Sequence, residues 1–154
     1  MKRPSPAPSN PGQEIDSSAL QGLVGYATRR AWLVMQEHFK QHISTVDLRP
    51  VPFTLLTLIG ANPGITSTQL CTMLDMPSSN LVGLVKQLQD RDLIERQPHP
   101  GDGRALGLHL RAPGRSLLRK AREAAERADR QATAALSDAE LAQLLALLGK
   151  IHGR

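Results

Sequence analysis

The chain has 154 residues, enough for one well-buried core and short for two comfortable domains. Its 19 Lys and Arg against 14 Asp and Glu leave a net charge of +5, which suits a polyanionic partner. A single cysteine, Cys71, excludes an internal disulfide, no run approaches the roughly 18 apolar residues of a membrane span, and the amino terminus lacks the apolar core of a signal peptide, so a cytoplasmic chain with no membrane partner is expected.

Residues 1–12 hold four prolines with Ser, Asn and Gly and almost nothing to bury, which predicts a disordered tail ahead of one domain over 13–154. From Glu14, the stripe Leu20, Leu23, Val24, Ala27, Ala31, Val34, Met35 and His38 predicts one long helix ending near Ile43. The next helix opens at Pro50, carries Phe53, Leu55, Leu56 and Ile59, and is stopped by Asn62-Pro63-Gly64. Thr66 with Gln69 forms a capping box, and Ile65 with Leu70 the accompanying hydrophobic staple, so a helix start is expected there. After the short break Leu74-Asp75-Met76-Pro77 a second helix runs to Arg91, a spacing that fits a helix-turn-helix. It turns Leu81, Leu84, Val85 and Leu88 inward and leaves Ser78, Ser79, Asn80, Val82, Gly83, Lys86 and Gln87 outside.

Leu93 to Gly114 carries two alternating runs around a Pro/Gly-rich tip holding Asp102 and Arg104, which reads as a β-hairpin with an arginine at its point. A helix followed by a basic hairpin is the geometry of a winged helix. Its helix enters a major groove and its hairpin reaches the neighbouring minor groove, so double-stranded DNA is the expected partner. The charge is concentrated accordingly, with nine basic and four acidic residues over 77–122. The long helix from Arg115 to Ala135 has a thin stripe of Leu117, Leu118, Ala121, Ala125, Ala128 and Ala132 opposite a dense Arg/Glu face. Ser137 with Glu140 and Leu136 with Leu141 repeat the capping devices before a last stripe of Leu141, Leu144, Leu145, Leu148 and Ile151. Small residues admit close helix contact. Together with the amphipathic ends at 15–43 and 137–152 they predict a homodimer, the alternative being an ordinary intrachain core.

This order of elements resembles the MarR family of bacterial transcription regulators over residues 15–152. The resemblance is carried by Asp102-Gly103-Arg104 in the hairpin, by Leu110-Arg111-Ala112-Pro113-Gly114 at the entry to the long helix, and by the segment from Leu74 to Arg96. It implies a mainly α fold with a small β-hairpin wing: a winged helix-turn-helix at about 50–112 and dimerisation helices at about 14–44 and 113–152. The chain departs from the family pattern at Asp75 and Asp92, where glycine is usual, and at Arg49 and Arg111, where a helix-capping threonine is usual. Gly83 replaces a larger DNA-facing residue, which either withdraws base reading or admits closer backbone approach.

The resemblance implies that Arg104 enters the minor groove and that Asp102 holds it. A narrow groove's enhanced negative potential attracts a guanidinium, and a nearby carboxylate fixes its rotamer. Ser78, Ser79 and Asn80 are placed to reach base edges or phosphates, with helix capping as the competing role, while Lys86 and Arg96 fit phosphate contacts. Family members bind small aromatic or phenolic acids, which implies an effector site among Tyr26, Arg29, Arg30, Trp32, His38, His42, Arg49 and Phe53, residues that supply aromatic faces and cationic donors. The expected function is a repressor released by such a ligand. The rival readings are a thiol-based redox regulator acting through Cys71 and a winged-helix protein-interaction module that binds no DNA. His38 and His42 lack a third ligand for a metal, no cofactor loop or nucleophile elbow is present, and no enzymatic activity is expected.

Overall fold

The computed structural model describes residues 16–99 and 102–153; the side chains of 99 and 102–105, the expected tail at 1–12 and the expected helix start at Glu14 lie outside the described residues. The chain forms two compact units, one up to Leu33 and one from Val34 onward.

In the first unit the expected single helix is broken. A short α1 (Ser18–Gln21) precedes α2 (Val24–Ile43), which continues into the second unit. At the break the chain tightens into a turn in which the Leu23 amide donates to the Leu20 carbonyl at 3.0 Å. Gly22 stands at that point, and glycine costs about 1 kcal/mol in a helix interior, so a local signal for the interruption was present. The Ser18 backbone amide and then its hydroxyl hold the Asp16 carboxyl below its ordinary range.

The second unit holds the winged core. A 3-10 turn (Ser44–Val46) leads to α3 (Pro50–Ala61), then β1 (Ile65–Thr66), α4 (Ser67–Leu74), α5 (Ser78–Asp90), β2 (Ile94–His99), β3 (Asp102–Leu110), α6 (Ala112–Ala132) and α7 (Asp138–His152). The hairpin β2–β3 is antiparallel, with Ile94 opposite Leu110 and Arg96 opposite Leu108. β1, which no sequence pattern predicts, pairs on the other side of β3, giving the order β1-β3-β2. The core lies where these elements meet: Leu55, Leu56 and Ile59 from α3, Leu70 from α4, Leu81, Val85 and Leu88 from α5, Ile94 and Leu108 from the sheet, and Leu118, Ala121 and Ala124 from α6. The small-residue side of α6 thus contributes first to the chain's own core. By contrast, α7 buries no residue, although it carries Leu144, Leu145, Leu147 and Ile151.

Both capping boxes form. The Thr66 amide donates to Gln69 Oε1 at 2.9 Å, and the Ser137 amide to Glu140 Oε2 at 2.8 Å, each with the reciprocal side-chain bond. The Ser137 amide and then its hydroxyl hold the Glu140 carboxyl below its ordinary value. α6 starts at Ala112, three residues earlier than its periodicity indicates, because Pro113 fits a first helical turn.

The departures at Asp92 and Arg111 meet in space. Asp92 takes a left-handed backbone at φ 59°, and Arg111, the uncapped residue before α6, turns its guanidinium onto the Asp92 carboxylate and reaches Glu95 at 3.6 Å. Each substitution leaves a polar group that the other satisfies. Both side chains are about half exposed, so a double-mutant cycle on Asp92→Ala and Arg111→Ala is expected to give a coupling of no more than about 1 kcal/mol in denaturant melts. Additive effects would mean that the two substitutions are independent.

Candidate nucleic-acid interface

The outer face of α5 is prepared by what holds its inner face. Leu81, Val85 and Leu88 are buried, which leaves Ser78, Ser79, Asn80, Val82, Gly83 and Lys86 exposed. Pro77 is the residue preceding the helix, and its carbonyl accepts the amides of Asn80 and Leu81 at 3.1 and 3.2 Å. No side chain caps that end, and among the described residues Ser78, Ser79 and Asn80 make no side-chain hydrogen bond. Their competing role as caps is therefore not used. Lys86 donates to Asp90 at 2.8 Å; that hydrogen bond, and next the carboxylate's charge, hold its ammonium above the ordinary lysine value. A phosphate approaching Lys86 has to compete with Asp90.

On the wing, Arg96 projects from β2 into solvent and enters none of the ion pairs among the described residues. β3 begins at Asp102, and the pairing becomes irregular between Pro98 and His99. The backbone of Asp102 and Arg104 therefore belongs to β3, while their side chains lie outside the described residues.

Two fastenings were not visible in the sequence. Arg91, just past α5, donates to the Asp47 carbonyl at 3.1 Å and to its carboxylate at 3.3 Å, tying the end of α5 to the turn before α3. Arg115 donates to the Leu110 carbonyl at 2.6 Å, joining α6 to the end of the wing. The partners of the first are 44 residues apart, so no local pattern announces them.

The candidate effector residues fall in both units. In the first, Arg29 stacks over the Trp32 ring at 4.4 Å, Tyr26 is half-buried and Arg30 is exposed. In the second, His42 Nδ1 lies 2.9 Å from the His38 carbonyl, so that nitrogen carries the proton, while Phe53 packs against Phe39 with ring centroids 5.5 Å apart. Arg49 lines a recess of about 410 Å³ with Lys40 and Asp47. A different cavity, of about 550 Å³, opens against α3, β3 and α6. Ile59, Leu110 and Leu118 give it apolar walls, and Arg115, Arg119 and Arg122 stand on its rim with Glu123 and Glu126. Its lining is gathered from three separate elements, which is why the sequence does not show it. Cys71 is half-buried against the core. Among the described residues no group of three metal-ligating side chains occurs, and no helix is long and apolar enough to cross a membrane.

Comparison with known proteins gives concordant results. The profile of the MarR family matches residues 46–105. A protein assigned as transcriptional regulator of the hcr operon in Thauera aromatica is 32% identical over 140 residues, covering 90% of this chain and 84% of the relative. The repressor CouR bound to a 23-mer DNA duplex superposes with a TM-score of 0.83 at 33% identity, covering 91% of this chain and 99% of that one. CouR bound to p-coumaroyl-CoA superposes with a TM-score of 0.79 at 32% identity, over 90% and 98% of the two chains.

Proposed function

The chain belongs to the MarR family of DNA-binding transcription regulators, and from that premise we propose that it is a homodimeric repressor released by an aromatic or phenolic acid carried as its coenzyme A thioester. In this reading α5, through Ser78, Ser79, Asn80, Val82, Gly83 and Lys86, addresses the major groove. Arg96 and the wing residues Asp102 and Arg104 address the backbone and the minor groove. The winged module spans about 50–112, and the flanking helices at about 14–44 and 113–152 pair two copies. Two copies present their α5 helices to half-sites about one helical turn apart, which calls for a pseudo-palindromic operator.

The observation that carries the DNA reading is the exposed, mostly polar face of α5 followed by a wing whose Arg96 stands in solvent, on a fold shared at 33% identity with a repressor seen on a DNA duplex. The thioester is favoured over the free acid because a relative of comparable identity holds p-coumaroyl-CoA. The cavity against α3 and α6 has the matching chemistry: an apolar bed for a ring and three arginines for phosphates. Tyr26, Arg29, Arg30, Trp32, His38, His42, Arg49 and Phe53 remain alternative effector contacts on the strength of the family resemblance.

The test is fluorescence anisotropy on a duplex selected by the protein from a random library. p-Coumaroyl-CoA is expected to release the duplex, with p-coumarate and free coenzyme A much weaker. Release by peroxide that is abolished in Cys71→Ser, with no response to the thioester, would put a redox switch in its place. Binding is expected to fall steeply with salt, and a chain that enriches no duplex would be a protein-interaction module. On the same duplex Arg104→Ala is expected to weaken binding about 5- to 150-fold, the scale of one good specific contact, with the dimer intact. Unchanged affinity would remove the wing from recognition.

A further inference from the structure

Gly83 stands in the middle of α5, where a glycine costs about 1 kcal/mol relative to alanine. At Gly60 and Gly107 of the core module the fold itself explains the glycine. A Cβ on Gly107 would lie 2.7 Å from the Gly64 carbonyl oxygen, and one on Gly60 would lie 2.9 Å from the Leu110 and Leu118 side chains. At Gly83 an added Cβ meets nothing within 4 Å, and its φ is not one that favours glycine. Gly25, another helical glycine with open space, lies on α2, in a segment assigned above to pairing with a second copy. The reason for Gly83 therefore lies outside the chain, on whatever surface α5 meets.

The neighbours of Gly83 indicate the chemistry of that surface. Ser79, Lys86 and Gln87 lie one turn away on the same exposed face. Beside them Val82 holds its isopropyl group in solvent, 57% exposed, on a face that is otherwise polar. An apolar group and a strip of bare backbone side by side form a shallow notch with no hydrogen-bonding demand. In a major groove the group that matches such a notch is the 5-methyl of thymine, the one apolar feature on any base edge.

We propose that Val82 and the uncovered backbone at Gly83 receive a thymine methyl, so that an A·T pair is specified in each half-site by shape and apolar contact and not by a hydrogen bond. This rests on the reading that α5 enters the major groove, and the experiment separates the two. The parent protein first selects a duplex from a random library, and each thymine of the half-site is then replaced by deoxyuridine, which removes the methyl and nothing else. One position is expected to lose about 5- to 10-fold in affinity for the parent, and Val82→Ala is expected to bind the thymine and deoxyuridine duplexes nearly alike. Gly83→Ala is expected to raise the melting temperature of the free protein by about 2–4 °C, since alanine is the better helix former, and still to weaken binding at least 10-fold. A Gly83→Ala protein that melts higher and binds as the parent does would overturn the proposal, as would a half-site in which no methyl matters. If those results came while Asn80→Ala and Lys86→Ala still weakened binding, major-groove entry would stand and the thymine notch alone would fall. A parent that selects no duplex would overturn both.

Discussion

Removing residues 137–154 is expected to leave the winged core folded while abolishing the dimer and lowering operator affinity by about 100-fold or more. The core residues come mainly from α3, α4, α5, the sheet and α6, with Ile43 from the end of α2 and Leu48 and Leu93 from connecting segments, and α7 contributes none of them. Within one copy α7 holds Leu145 and Ile151 in solvent at 62% and 68% exposure, a surface that a single chain does not cover. In the proposed dimer a second copy is expected to cover it. The loss in affinity then follows from mass action: two linked half-site contacts gain an effective concentration worth about 10²–10⁴ in binding, and the truncated chain has one. Sedimentation, thermal melting by circular dichroism and anisotropy on the selected duplex check the three parts separately. A truncated protein that sediments as a dimer and binds at full strength would show that α7 is not the pairing surface.

The second large effect is expected at the joint between wing and long helix. Gly114 lies in the first turn of α6, and a Cβ there would fall 2.0 Å from the Leu93 carbonyl oxygen, a backbone atom that also accepts the Arg111 amide at 3.0 Å. Neither side can yield cheaply. Gly114→Ala is therefore expected to cost about 3 kcal/mol, the upper part of the range for overpacking, and to lower the melting temperature by about 6–12 °C. A variant that melts with the parent would mean that α6 can start further from the wing.

Much of this architecture was legible because its signals are local. Thr66 with Gln69 and Ser137 with Glu140 announce helix starts within four residues, and the alternation around 93–110 announces the hairpin. What stayed hidden depends on distant partners. Two residues, Ile65 and Thr66, become a strand only because Leu108 and Gly107 lie opposite them, and no periodicity can be read in two residues. Arg91 and Arg111 read as members of a basic run, yet each is committed to a carboxylate elsewhere in the chain. The exposed face of α5 was readable from its helical periodicity, because burying Leu81, Val85 and Leu88 fixes what remains outside. The cavity against α6 was not, since α3, β3 and α6 reach it from separate parts of the sequence.

The short strand β1 has a mechanical consequence. It runs directly into α4, and the Gly64 amide is bonded to the Leu108 carbonyl at 2.9 Å, so the helix-turn-helix and the wing hang from one continuous sheet. Under the proposed function, this sheet is expected to hold the distance from α5 to the base of the wing constant within one copy. The distance an effector is then expected to change is the one between two copies. A duplex carrying a single half-site should therefore be held weakly and equally with or without effector, whereas a full operator should be released.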